Sequence, residues 1–137
     1  MSKHHVAWSE DFSVGNEQID TDHKQFIDAI NSLYLAIDEG GDFVAIEGVL
    51  CQIAELSTTH FAREERLMDQ TNFSLRNKHA AEHSRFLGTL DEIVLSFENR
   101  ELAMVRTMAD SLRDTFLFHV MNFDLLLKKH LTDVGRE

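Results

Sequence analysis

No proline interrupts this chain of 137 residues, and its apolar residues recur at three- and four-residue intervals through four long stretches. That spacing is the mark of amphipathic helices, and without proline none of them need be kinked or broken by one. The first stretch runs from about Asp20 to Asp38 and stops at Gly40-Gly41, with Phe26, Ile27, Ile30, Tyr34 and Ile37 in phase with His23. The second starts near Asp42, which reads as an N-cap, and ends near Met68; Leu50, Ile53, Leu56, His60, Glu64 and Leu67 share one face. A turn through residues 69–72 follows, and Ser74 is predicted to cap the third helix. That helix aligns His79, His83, Phe86, Leu87, Leu90, Val94 and Phe97. A weaker break at Asn99-Arg100 precedes a fourth helix from about Glu101 to Leu131, with Val105, Met108, Leu112, Phe116, His119, Phe123 and Leu126 on one side.

Short turns between long helices favour antiparallel neighbours. The expectation is therefore an all-α protein, an up-down-up-down antiparallel four-helix bundle over residues 18–137. Residues 1–17 form an N-terminal arm of the same single domain, with Trp8 and Phe12 as its anchors. Each buried Leu, Ile or Phe contributes roughly 1.5–3 kcal/mol of transfer free energy, so the four stripes can hold a bundle together. A net charge of −11 argues against nucleic acid or an anionic membrane surface as a partner and leans toward a monomer. Cys51 is the lone cysteine, so no internal disulfide calls for an oxidising compartment. The opening residues MSKHHVAWSEDF lack the apolar run of a signal peptide, and no stretch is long and apolar enough to span a bilayer. A cytoplasmic location is expected.

Histidine placement is what points to chemistry. His23, His60, the pair His79 and His83, and His119 fall on the apolar faces of the four helices, while His4, His5 and His130 lie near the chain ends. A single histidine on an apolar face is usually a satisfied core residue. Five of them with Glu64 are different, because burying that many polar groups costs several kcal/mol unless each has a partner. A metal is the simplest partner common to all. Depth agrees: early positions on helices one and three share a level with late positions on helices two and four, so the five histidines meet toward one end of the bundle.

Counting narrows the metal. Structural zinc closes with four ligands, and five histidines plus Glu64 overfill one tetrahedral site. The ferritin-like di-iron pattern needs Glu-x-x-His twice, and the chain has none. Imidazole-rich ligation suits iron among several metals. A pair of octahedral ions needs bridging carboxylates; Glu64 is one candidate, and Asp124, five residues beyond His119, is the second. Five residues turn about 140° on an ideal helix, so His119 and Asp124 both reach the core by flanking it or through a local widening of the helix.

The motifs HFAREE (His60, Glu64), HAAEH (His79, His83), HVMNFD (His119, Asp124) and IDTDHKQF (His23), with Trp8 upstream, resemble those of the hemerythrins, in particular the single-domain bacterial branch, the bacteriohemerythrins. The resemblance covers nearly the whole chain. It implies two non-haem iron ions with an oxo or hydroxo bridge: one held by His79, His83 and His119, the other by His23 and His60, with Glu64 and Asp124 bridging. The first ion is then six-coordinate and the second five-coordinate, leaving one position open for a small ligand. In the family that ligand is dioxygen. Phe26, Ile27 and Phe116 are the expected apolar neighbours of the open position. Three places depart from the pattern: Thr115 stands where members often carry Trp, Phe73-Ser74 where bacterial relatives often have Tyr-Pro, and Leu125-Leu126-Leu127 after Asp124 is unusually apolar. Cys51, nine residues before His60, faces away from the irons.

Three functional classes follow. The resemblance favours a reversible dioxygen binder for storage, delivery or scavenging, working with an oxygen-consuming enzyme or alone, and not itself an enzyme. A sensor module read by a partner expects an attached output domain, for which 137 residues leave no room. An enzyme acting on peroxide or nitric oxide expects an acid near the open position, and Tyr34, the only tyrosine, lies eleven residues from His23.

Overall fold

The computed structural model describes residues 6–13, 15–40 and 42–134; His4 and His5 lie outside that range. After a 3-10 turn at Glu10–Phe12, the chain forms α1 (Glu17–Asp38), α2 (Phe43–Gln70), α3 (Arg76–Glu98) and α4 (Leu102–His119). A π-helical turn, Val120–Asp124, then joins α4 to α5 (Leu125–Val134), so these last elements continue one another as the fourth rod. α1 packs on α2 and α4, and α3 on α2 and α4. The four rods therefore close a ring in the up-down-up-down order, and no strand occurs among the described residues.

Local chemistry sets the helix ends. The Asn16 side chain accepts from Ile19 N–H at 3.1 Å and starts α1; Asp42 does the same for Val44 at 3.0 Å and starts α2. Gly40, at φ +117°, makes the turn between them, a conformation that side chains other than glycine's resist. α2 ends with Asn72 at φ +56° and a Phe73 N–H to Met68 carbonyl bond of 3.0 Å. α3 ends alike, with Arg100 at φ +63° and Glu101 N–H bonded to the Ser96 carbonyl. Both are left-handed closures that satisfy otherwise orphaned carbonyls.

Ser74 does not cap α3. The N-cap position falls to Leu75, whose side chain makes no capping bond. The reason is Phe73, which is buried and leaves Ser74 exposed on the turn. Arg76 clamps that turn instead, donating from Nε to Asp69 Oδ1 at 3.0 Å.

Each rod reads apolar, polar, apolar along its buried face. A large apolar cluster includes Phe26 of α1, Phe61 of α2, Phe86 of α3, and Phe116 and Val120 of the fourth rod. A small one consists of Ile19, Met68, Phe73 and Leu127. His23 lies between Ile19 and Phe26; His60 and Glu64 occupy the stretch of α2 before Met68. His79 and His83 lie between Phe73 and Phe86, and His119 and Asp124 between Phe116 and Leu127. The polar residues thus form a layer between two apolar ones. His130 closes the small end, its Nε2–H donating to the Thr71 carbonyl at 2.9 Å.

The stripe of the fourth rod changes phase at the π turn. Leu126, expected to face inward, is 45% exposed, Phe123 is half-buried, and Leu127 is fully buried in their place. One extra residue per turn, with Leu125 N–H bonding back five residues to Val120, delays the inward face by one position. Elsewhere the stripes are shifted at their edges: Leu56, Leu67, Leu87, Val94 and Ile37 are half-buried, while Leu33, Phe61 and Ile93 are fully or nearly fully buried. Val6 lies against α1, where it and the Asn31 side chain exchange two hydrogen bonds of 2.9 and 2.8 Å. Trp8 and Phe12 pack against the core, with the Lys24 ammonium 5.0 Å from the Trp8 ring.

Candidate metal centre

His23, His60, Glu64, His79, His83, His119 and Asp124 converge in the polar layer, and all seven are buried. They form two overlapping sets able to hold a metal ion: Glu64, His79, His83, His119 and Asp124, and His23, His60, Glu64 and Asp124. Helix geometry creates the pairs. His60 and Glu64, like His79 and His83, are four apart and stack on one face. His119 and Asp124 are five apart, and the π turn brings His119 Nε2 and Asp124 Oδ1 to 3.0 Å.

Both carboxylates divide their oxygens between the sets. Glu64 Oε1 lies 3.2 Å from His79 Nε2 and 2.9 Å from His83 Nε2, while Oε2 lies 3.1 Å from His60 Nε2. Asp124 Oδ1 lies 2.9 Å from His79 Nε2, and Oδ2 lies 3.0 Å from His23 Nε2. Within the sets, His23 and His60 approach Nε2 to Nε2 at 3.1 Å, and so do His79 and His119. Five imidazole nitrogens and two carboxylates therefore point inward at a common space.

These groups satisfy one another only in part: Glu64 Oε1 is bonded by His79 and His83. Glu64 Oε2 and both Asp124 oxygens make no hydrogen bond, although imidazole nitrogens stand within 3.2 Å. Buried carboxylate oxygens are costly to leave so. A cation seated between nitrogen and oxygen donors removes that cost, and the mix of imidazole and carboxylate fits iron among the first-row metals.

Electrostatics point the same way. Burial pushes the Glu64 carboxyl up, but the charge of His60 and bonds from the surrounding imidazoles outweigh it and hold it well below its ordinary value. Asp124 is also held down: burial and the Glu64 charge oppose this, and His119 and His23 prevail. Burial lowers His60 and His119, yet the charges of Glu64 and Asp124 respectively carry each up to about 10. Burial dominates at His83, which is lowered. The carboxylates are held toward the ionised form, and positive charge is favoured beside them, as imidazolium or as a metal ion.

Aromatic rings wall the layer. Phe116 meets His23 edge-on at 5.8 Å and stacks on Phe26 at 4.8 Å. Phe61, absent from the sequence-derived stripe, stacks on His83 at 4.0 Å, and Phe123 stacks on His119 at 5.6 Å. Ile27 is buried in the same core cluster as Phe26. Thr115 is half-buried, and Cys51 is exposed. Asp22 also belongs to the site and escaped the sequence reading. It accepts from His60 Nδ1–H at 3.1 Å and from Arg63 at 2.6 Å. Its position was the available signal: a charged residue on the buried line of Ile19, Phe26, Ala29 and Leu33. No described helix is long and apolar enough to cross a membrane.

A family model, the hemerythrin HHE cation binding domain, matches residues 14–131. Similar proteins include a bacteriohemerythrin of Pseudomonas aeruginosa, 30% identical over 97 residues, or 71% of this chain and 63% of that protein. The chain thus spans less than two thirds of that relative's length. A bacteriohemerythrin of Stenotrophomonas maltophilia is 27% identical over 140 aligned positions, covering 96% of this chain and 88% of that protein. A myohemerythrin of Riftia pachyptila is 25% identical over 100 residues, covering 73% and 78%.

Proposed function

Because the chain belongs to the hemerythrin family, we propose that it holds two non-haem iron ions and binds dioxygen reversibly at one of them. His79, His83 and His119 serve one ion, His23 and His60 the other, and Glu64 and Asp124 bridge the pair together with an oxo or hydroxo group. The observation that carries this reading is the unequal division of histidines, three against two, around two shared carboxylates. Equal shares of the bridging ligands then leave the two-histidine ion one ligand short, which is the opening a small molecule needs. When bound, the ferrous pair supplies the two electrons that dioxygen binding at such a centre requires.

The chain's own residues do the rest. Glu64 and Asp124 stay ionised and fix the spacing of the sets. Asp22 accepts a hydrogen bond from His60 Nδ1–H, which leaves Nε2 facing the ion. Phe26 and Phe116, stacked beside His23, keep water from the two-histidine side, and a dry surround slows irreversible oxidation. The Tyr34 hydroxyl is committed to Asp110 at 2.5 Å, which favours binding over acid-assisted turnover of peroxide or nitric oxide. We read the arm and bundle as one domain that works as an oxygen store, carrier or scavenger.

An optical spectrum of the ferrous-loaded protein tests this directly. It is recorded in a sealed cuvette without oxygen, after air, and after an argon purge. A charge-transfer band that grows with air and fades with argon is the expected result. A band that persists, or decays to a form indifferent to argon, would replace the carrier reading with a redox one.

A further inference from the structure

His60 differs from the other four histidines of the cluster. Its Nδ1–H donates to Asp22 Oδ2 at 3.1 Å, whereas Nδ1 of His23, His79, His83 and His119 is buried without a hydrogen bond. Asp22 itself is only 5% exposed. Arg63 Nη1 donates to both of its oxygens, at 2.6 and 2.7 Å, and Gln18 Nε2 adds a third bond at 3.1 Å. Gln18 and Asp22 are one turn apart on α1; His60 and Arg63 are three residues apart on α2. The seam between these helices therefore carries a continuous chain of hydrogen bonds from a half-buried guanidinium to an imidazole of the two-histidine set.

We propose that Asp22 is a positioning residue that fixes His60 with Nε2 free for metal and strengthens its electron donation, and that Arg63 restrains this effect by drawing charge from the same carboxylate. An imidazole that donates its far N–H to a carboxylate is a more basic ligand, and losing such a partner typically costs about 10–100-fold in metal affinity. The effect is strongest in the two-histidine set, because Nδ1 of His79 and His119 makes no hydrogen bond and His83 Nδ1 has only the longer, unbonded approach of Glu65 Oε2 at 3.5 Å. Asp22 thereby makes the two ions inequivalent beyond their ligand count, acting on the ion that the proposed function leaves open. The inference rests on that two-ion reading.

An ion pair that merely fastened α1 to α2 would behave differently. Losing either member would then loosen the same seam and weaken metal binding in the same direction. Tuning requires opposite signs. Asp22→Asn keeps the shape and removes the charge, so His60 becomes a poorer donor. Arg63→Gln leaves the carboxylate less compensated, so His60 becomes a better one.

The test uses the full chain. Metal-free wild type, Asp22→Asn and Arg63→Gln are titrated with Co2+ and followed by d–d absorption; the iron-loaded forms are titrated for reduction potential. Asp22→Asn is expected to weaken one cobalt step by about 10–100-fold, leave the other unchanged and raise the potential. Arg63→Gln is expected to bind cobalt at least as tightly as wild type and to lower the potential. Shifts of the same sign, or none, overturn the proposal. Should Asp22→Asn fail to fold, Arg63→Gln decides: a lowered potential supports tuning, and an unchanged or raised one refutes it. A wild type that takes up cobalt in a single step sinks the two-ion reading, and the effect of Asp22→Asn on that step still decides whether Asp22 acts through His60.

Discussion

Glu64 and Asp124 each offer one oxygen to the three-histidine set and one to the two-histidine set, and their charge governs the protons nearby. In metal-free protein, these carboxylates stand beside Nε2 of His60 and His119, and Asp22 accepts from His60 Nδ1–H as well. Burial lowers both, but the carboxylate charge wins and carries each from 6.5 to about 10. A folded value above the unfolded one stabilises the metal-free chain fully below pH 6.5, and that contribution is lost as the pH climbs through 10. Metal must displace the same protons. Adding Fe2+ or Co2+ to metal-free protein at pH 7 should therefore release protons, read with an indicator dye in weak buffer, and affinity should rise with pH up to about 10. Metal uptake without proton release would mean that the imidazoles are neutral beforehand. Substitution separates the positions further. His119→Ala should reduce iron per chain toward a single ion, whereas Cys51→Ser, on an exposed position of α2, should leave it unchanged. Equal losses in the two variants, measured by metal analysis, would dismiss the proposed ligand set.

Among the elements, the π turn has the clearest consequence. It places Asp124 on the face of His119 and keeps Leu127 inward; the Phe118 carbonyl there is taken up by the Asn122 side chain at 2.9 Å. Met121 and Asn122 are exposed, so deleting Asn122 removes the extra residue without touching the core. The result is a regular α-helix in which the histidine and aspartate are four apart, still on one face, and Leu127 keeps its phase. The carboxylate, however, then projects from a narrower α turn and meets His119 at a different angle than it does from the wider π turn. Helix content by circular dichroism should persist while iron per chain falls; full iron would show that the bulge is not needed to aim Asp124. This turn also marks how far the sequence could be read. Five histidines and Glu64 lay on stripes of constant 3.6-residue period, so their convergence followed from the helix period and antiparallel order alone. Leu126 faces outward because that constancy fails at residues 120–124. Ser74 does not cap α3 because burial of Phe73 fixes the turn, a tertiary effect that no capping rule contains. Asp22 is legible in the sequence only as a charged residue on an apolar line; its role comes from Arg63 and His60, which arrive from another helix.

Across the whole molecule, the polar layer separates an extensive apolar core from a small cap made by Ile19, Met68, Phe73 and Leu127. The large cluster draws on all four rods and includes Leu33, Ile53, Ile93 and Leu112, each fully buried, so it can hold the bundle whether or not metal is bound. The cap buries only four such side chains, worth roughly 1.5–3 kcal/mol each. Between cap and core lie two ionised carboxylates with oxygens that no hydrogen bond satisfies. Metal ions would tie all four rods together at that level, because each contributes at least one of the seven proposed ligands. Since ligand binding to the folded form stabilises it by mass action, the gain should be concentrated where the ligands are. Chelation should then leave amides around Leu33, Ile53, Ile93 and Leu112 protected from hydrogen exchange, while those of residues 19–23, 64–83 and 119–130 open much more often. Local opening of this kind follows the density of buried apolar contacts rather than global stability. Hydrogen exchange read by mass spectrometry on the loaded and chelated protein distinguishes the cases. A uniform loss of protection along all four rods would mean that core and cap fold as one unit and that the metal supports the entire bundle; a loss confined to the cap end would fit a scaffold that folds first and receives its metal afterwards.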